Sequence, residues 1–188
     1  MNQAEILRIF KETGALLKGH FKLSSGLHSD QYLQCALVLQ NHKYAKKLCG
    51  ELASKFKSDK VNVVIGPALG GIIVSYEVAR ALGCRSIFAE RETGPMTLRR
   101  GFKIDKDERA LMVEDVVTTG GSTKEVIDIV KKCGARLVGI GALVDRSAGI
   151  DFKERFESVL KIDIPAFRPE ECPLCREGML LVKPGSGK

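Results

Sequence analysis

Apolar positions along the chain follow two different periods. Over residues 4–13, Ile6, Leu7, Ile9 and Phe10 fall on one helical stripe, and Gly14 is placed to stop it. Residues 43–57 repeat that period through Ala45, Leu48, Leu52, Ala53 and Phe56. Between them, 21–38 alternates irregularly, with short strands expected at 21–23 and 31–36. From residue 61 the rhythm becomes regular. A β-branched run at 61–65 is closed by Gly66 and Pro67, and Gly70 and Gly71 open an apolar helix reaching Leu82. Strands are expected at 85–89, 110–114 and 136–144, with a helix over 123–133 stopped by Gly134. Residues 90–103 are polar and basic and carry neither period. Short apolar strands alternating with helices predict an α/β fold, a central parallel sheet flanked by helices on both faces. Ligands of such sheets bind beyond the carboxyl ends of the strands, which directs attention to the loops at Gly66, Glu90, Glu114 and Asp145.

At 188 residues the chain has the length of a single domain, 1–188, with a tail at about 183–188 expected to fray. No apolar run approaches the roughly 18 residues of a membrane span. The start is an amphipathic helix containing acids rather than a signal peptide. Cysteines at 35, 49, 84 and 133 lie in apolar segments and read as small buried hydrophobes, which implies a reducing, cytoplasmic setting. Lys and Arg outnumber Asp and Glu by 30 to 23, a net charge of +7 that points to an anionic partner without identifying it. The 19 glycines exceed the average share of roughly 7% and direct the search to glycine-rich loops.

The most informative loop is 113–123, VEDVVTTGGST, lying between an expected strand and an expected helix. Gly120 and Gly121 allow the backbone to turn its N–H groups inward, Ser122 and Thr123 offer hydroxyls, and the following helix N-terminus carries partial positive charge. Together these suit a phosphate dianion. The neighbouring carboxylates of Glu114 and Asp115 repel phosphate and call for hydroxyl donors or a metal, so the loop as a whole matches a sugar phosphate. The Gly-Lys-[Ser/Thr] ending of a nucleotide-binding P-loop is missing.

This string resembles the phosphoribosyl-pyrophosphate motif of the type I phosphoribosyltransferases. The likeness is strongest to their orotate phosphoribosyltransferase members and runs nearly end to end, through 25–29 (SGLHS) with Tyr32, 66–71 (GPALGG), 88–91 (FAER) and the pair Asp145 and Arg146. The resemblance implies the type I fold with a small hood formed mainly by about 1–40. It implies transfer of ribose 5-phosphate from phosphoribosyl pyrophosphate to orotate, giving orotidine 5′-monophosphate and pyrophosphate for pyrimidine synthesis. Mg2+ is implied as cofactor, held mainly through the substrate diphosphate and water. Val116, Val117, Thr118, Thr119, Gly120, Gly121 and Ser122 would cradle the phosphoribosyl group, with Glu114 and Asp115 on the ribose hydroxyls. Ala68, Leu69 and Gly70 would form the pyrophosphate loop, with a cis peptide between Ala68 and Leu69. Thr118, Ser25, Gly26 and Arg146 would meet orotate, Arg146 forking onto its carboxylate.

The catalytic candidates carried over are Asp115, Glu114, Arg91, Arg99 and Arg100. The basic loop departs from well-known members, which carry several lysines and a histidine where this chain has Arg99 and Arg100 to meet pyrophosphate. Ser24 stands where many members have a lysine, and His28 is either structural or part of the hood. A homodimer sharing the catalytic loop is implied, with no nucleic-acid or membrane partner. A purine phosphoribosyltransferase is the competing enzyme reading and has no use for a carboxylate clamp at Arg146. A nucleotide-sensing regulator on the same fold is the other alternative, but no basic recognition helix stands out. Cys172 and Cys175 have the spacing of half a zinc knuckle. With no second pair at similar spacing, they read as a packed turn, or as two thiolates of a site completed by a second chain.

Overall fold

The computed structural model describes residues 1–23, 25–147 and 149–184. Ser24 and the last four residues of the expected frayed tail lie outside the described residues. Helix α1 (Gln3–Glu12) is capped by Asn2, whose side chain accepts from the Glu5 amide at 2.8 Å. Strands β1 (Leu16–Lys22) and β2 (His28–Leu33) form an antiparallel hairpin. Helices α2 (Cys35–Leu39) and α3 (His42–Ser54) lead into β3 (Val63–Pro67), α4 (Gly70–Leu82), β4 (Arg85–Glu90) and the two-residue β5 (Thr97–Leu98). Then come β6 (Arg109–Val117), α5 (Gly121–Lys132), β7 (Arg136–Asp145), β8 (Phe156–Lys161) and the short α6 (Pro173–Arg176).

Six strands form the central sheet in the order β5-β4-β3-β6-β7-β8. All neighbours are parallel except the β4–β5 pair at one edge. The pleat sorts each central strand into two cores. Val63 and Ile65 of β3 and Ala110 and Met112 of β6 pack with Val126, Ile127 and Val130 of α5. Val64, Leu111 and Val113 point the other way, into the cluster of Phe10, Leu48, Leu52, Phe56, Val74 and Val78 from α1, α3, the segment after it and α4. Both faces are therefore covered, as the near-continuous apolar runs required. Close approach of α3 to the sheet depends on Gly139 and Gly141. A Cβ at Gly139 would lie 2.7 Å from the Phe56 ring, and one at Gly141 would lie 3.2 Å from the Leu52 methyls.

The structure departs from the sequence pattern at several places. The hairpin strands start earlier than expected, and Cys35 and Ala36 belong to α2 instead of a strand. β6 continues to Val117, because Val116 and Val117 pair with Val144 and Asp145 of β7. α5 begins at Gly121, two residues early. Neither β5 nor β8 was expected: two residues are too few to display a period, and β8 is half-exposed at the sheet edge. Segment 90–103 folds back so that Ala89 faces Leu98 and Glu90 faces Thr97. The C-terminal segment returns to the hairpin, where His28 exchanges both backbone hydrogen bonds with Phe167 at 2.8 Å. Cys172 and Cys175 accordingly do not form an isolated turn, since they face His20 and His28 of the hairpin. No helix among the described residues is long and apolar enough to cross a membrane.

Leu111 is wholly buried in the larger cluster, so truncating it leaves a cavity the rigid sheet cannot close. Leu111→Ala should lower the unfolding free energy by roughly 2–5 kcal/mol in urea titration. A loss under about 1 kcal/mol would mean that the two-cluster packing is wrong.

Candidate active site at the carboxyl edge of the sheet

Strand β6 delivers two carboxylates to the carboxyl edge, and its pleat sends them to opposite faces. Glu114 follows Ala110 and Met112 toward α5, where its Oε2 accepts a 2.8 Å hydrogen bond from Thr123 Oγ1. Burial pushes the Glu114 carboxyl up to about 7; the Thr123 hydroxyl opposes this and the Asp115 charge adds to it. Asp115 points toward α4, so close that a Cβ on Gly70 would lie 2.5 Å from its Oδ2. Its carboxyl is also raised by burial, against the lowering effect of the 2.9 Å bond that its Oδ1 accepts from the Val116 amide. The acids expected side by side on one ligand thus flank the edge from two directions.

Between β6 and α5 the loop turns at Gly120, whose φ of +69° lies in the left-handed region. A side chain there would also strike the Phe152 ring, with its Cβ 2.8 Å from Cε1. This turn leads into α5, whose first amides have no partner within the helix. Arg91, Glu114, Val116, Val117, residues 118–122 and Glu125 line one cavity of about 270 Å3. Seven of the expected cradle residues, 116–122, therefore share a single concavity with Glu114. Across the edge, the peptide between Ala68 and Leu69 is cis, where the resemblance put it, and it leads into the N-terminus of α4. Leu69 is 78% exposed.

The cations are less free than the sequence implied. Arg91 is engaged by Glu125, with Nη1 at 2.8 Å and Nη2 at 2.5 Å from its carboxylate, and Glu125 also accepts from the Met96 amide at 2.9 Å. Arg99 lies 3.0 Å from Glu92. Arg100 forks onto Glu90 at 2.8 and 3.1 Å and sits over the Phe88 ring. Glu125 escaped the sequence reading because it belongs to the helical pattern of α5, and nothing local marks it as a partner of a loop 34 residues away.

Arg146 is the exception. Its chain neighbour Asp145 accepts from the Ser147 amide at 2.8 Å and the Ser147 hydroxyl at 2.6 Å. Among the described residues no carboxylate lies within ion-pair range of Arg146, although its guanidinium is half-buried and burial lowers its pKa. Tyr32 of β2 lies close enough to feel both Asp115, which raises its pKa, and Arg146, which lowers it; burial is the larger raising cause. Ser25 and Gly26 lie at the tip of the same hairpin, where the Gly26 amide donates to the Leu23 carbonyl at 2.9 Å. The arrangement can accept a phosphate at a helix N-terminus, hydroxyls between two carboxylates, and a planar carboxylate at an unpaired guanidinium.

Residues 37–171 match the phosphoribosyl transferase domain family. The orotate phosphoribosyltransferase of Pelotomaculum thermopropionicum is 58% identical over 189 aligned positions, covering all of both chains. The crystal structure of orotate phosphoribosyltransferase from Aeropyrum pernix superposes with a TM-score of 0.72 at 26% identity, covering 84% of this chain and 93% of that one. An adenine phosphoribosyltransferase structure from Thermoanaerobacter pseudethanolicus shares the fold alone, with a TM-score of 0.62 at 16% identity over 70% of this chain and 88% of that one. The fold is thus common to enzymes named for different bases, and full-length identity makes the finer assignment: the chain belongs to the phosphoribosyltransferase family and, within it, to the orotate phosphoribosyltransferases.

Proposed function

We propose that this chain transfers ribose 5-phosphate from phosphoribosyl pyrophosphate to N1 of orotate, supplying orotidine 5′-monophosphate for pyrimidine nucleotide synthesis. In the reaction the C1′–oxygen bond to pyrophosphate breaks, the C1′–N1 bond forms, and orotate gives up its N1 proton. The observation that carries the orotate reading is Arg146, a half-buried guanidinium with no carboxylate partner among the described residues, beside Tyr32 at the edge that also holds the phosphate cradle. A carboxylate-bearing base satisfies it by two parallel hydrogen bonds, and a purine does not.

The amides and hydroxyls of 118–122 take the 5′-phosphate. Glu114 and Asp115 approach from opposite faces, accept ribose hydroxyls and stabilise positive charge as it develops at C1′. The α4 N-terminus behind Ala68, Leu69 and Gly70 receives the departing pyrophosphate. Arg99 and Arg100 exchange their partners, the exposed Glu92 and the partly covered Glu90, for pyrophosphate, a swap favoured because ion pairs made by exposed arginines are weak. Arg91, tied to Glu125, walls the phosphate cavity. Hydroxyls and carboxylates form an oxygen-only donor set here, which fits a hard cation such as Mg2+ chelated by the diphosphate, with Asp115 and Glu114 reached through water. An ion held there by Glu114 and Asp115 through water would supply charge neutralisation to the departing diphosphate. Leu69, Ile73 and Tyr76 form an exposed apolar stripe beside the pyrophosphate loop and support a homodimer, as does the family likeness.

The test of the whole reading mixes protein, phosphoribosyl pyrophosphate, Mg2+ and one base at a time. Orotate should be consumed with release of pyrophosphate; turnover with a purine base and silence with orotate would overturn the proposal. Arg146→Ala should raise the KM for orotate by about 10- to 100-fold, the cost of a charge-assisted pair, while leaving the KM for phosphoribosyl pyrophosphate within about threefold. Asp115→Asn should depress kcat at unchanged melting temperature. Because Glu114 titrates at about 7, phosphoribosyl pyrophosphate should bind more tightly as pH rises through that value and the carboxylate ionises. In calorimetric titrations Glu114→Gln should lose that added step and retain only the substrate's own pH dependence.

A further inference from the structure

Four side chains outside the phosphoribosyl site converge where the hairpin meets the C-terminal segment. His20 Nε2 and His28 Nδ1 are 3.0 Å apart. Cys172 Sγ is 3.5 Å from His20 Nε2, and Cys175 Sγ is 3.6 Å from that nitrogen and 3.3 Å from His28 Nδ1. All four atoms lie within 4.8 Å of one another. His20, His28 and Cys172 are buried, while Cys175 forms the exposed rim. We propose that these residues form a structural tetrahedral zinc site that pins the C-terminal segment to the hairpin.

Three observations favour a cation over a set of hydrogen bonds. First, the spacing is right: for bonds of about 2.0–2.1 Å to nitrogen and 2.3 Å to sulfur, the edges of a tetrahedron run from about 3.3 to 3.8 Å. The nitrogen–sulfur separations of 3.3, 3.5 and 3.6 Å fall in that range, the nitrogen pair at 3.0 Å is slightly tight, and the two remaining pairs lie within 4.8 Å, so Cys172 closes in slightly when the ion binds. Second, His20 Nδ1 sits 2.9 Å from the Met179 carbonyl, which must accept its proton. Nε2 is then left with one lone pair. Three heteroatoms crowd that nitrogen, and one lone pair cannot accept three hydrogen bonds. A single ion at the centre satisfies all four donors at once, and the carbonyl behind His20 orients the ring as partners of metal-bound histidines do. Third, Cys172-Pro-Leu-Cys175 has the two-residue spacing that lets both sulfurs of a short turn face one point.

The donor chemistry selects the ion. Two thiolates and two imidazoles are too soft for Mg2+ and suit Zn2+. All four positions are filled by protein, so no place remains for water or substrate and the role is structural. The backbone indicates what the ion holds together. Lys22 donates to the Val182 carbonyl and Val182 to the His20 carbonyl, both at 2.8 Å, while His28 and Phe167 pair reciprocally. The clamp therefore fixes the hairpin that carries Tyr32 toward Asp115 and Arg146.

The test uses the full chain expressed in zinc-supplemented medium and purified without chelator under reducing conditions. Elemental analysis should find about one zinc per chain, falling below about 0.2 in Cys175→Ser and in the Cys172→Ser/Cys175→Ser pair. Exchange with Co2+ should give the intense visible bands of a tetrahedral thiolate-ligated ion. Chelation should speed amide hydrogen exchange at residues 20, 22, 28, 167 and 182, leaving β3 and β6 protected. Cys175→Ser, at the exposed rim, is the variant whose folding is least at risk. A folded wild-type chain holding less than about 0.1 zinc and taking up neither Zn2+ nor Co2+ would overturn the site. So would undiminished zinc in the double variant. Neither outcome touches the assignment of the transferase site.

Discussion

Strand β6 lies at the centre of the sheet with both faces buried, and its pleat is the constraint on which the site depends. Alternate residues must enter opposite cores, so Met112 and Val113 part company, and so do Glu114 and Asp115 directly after them. Two acids adjacent in sequence therefore serve two neighbourhoods. Glu114 turns to α5 and Thr123, and Asp115 to α4 and Gly70. Because β3, β6 and β7 run parallel, their carboxyl ends and the N-termini of α4 and α5 gather at one edge. Anion binding there needs little side-chain charge, since the helix N-termini supply it.

That arrangement explains how the net charge of +7 is used. Arg91, Arg99 and Arg100 are held by Glu125, Glu92 and Glu90, so they stand as ion pairs rather than as free cations. Arg146 is different, being half-buried and left without a carboxylate among the described residues. Desolvating a guanidinium without an acid is costly, and such a cost is sustained where a ligand supplies the counter-charge.

Much of the fold was legible because it is written locally. The short apolar runs of β3 and β7, the helical stripes of α1 and α3, and the glycines that open and close elements each involve residues a few positions apart. The cavity lining was legible for the same reason, as 116–122 is one contiguous segment running from the end of β6 into α5. Edge features were not. β8 is half-exposed and β5 has two residues, so neither imprints a pattern.

The sequence by itself determined the alternating strands and helices, the glycine turn between β6 and α5, and the presence of an arginine after β7. Each follows from backbone conformations and burial patterns set by near neighbours. Only the tertiary structure decided which charges neutralise one another and which do not. Arg91 meets Glu125 and Asp145 turns to Ser147, and Arg146 is left without a carboxylate among the described residues. Only the tertiary structure, too, brought Cys172 to His20, residues 152 positions apart that no local period connects. Such meetings depend on how the C-terminal segment returns across the hairpin, and that path is set by the packing of the whole chain.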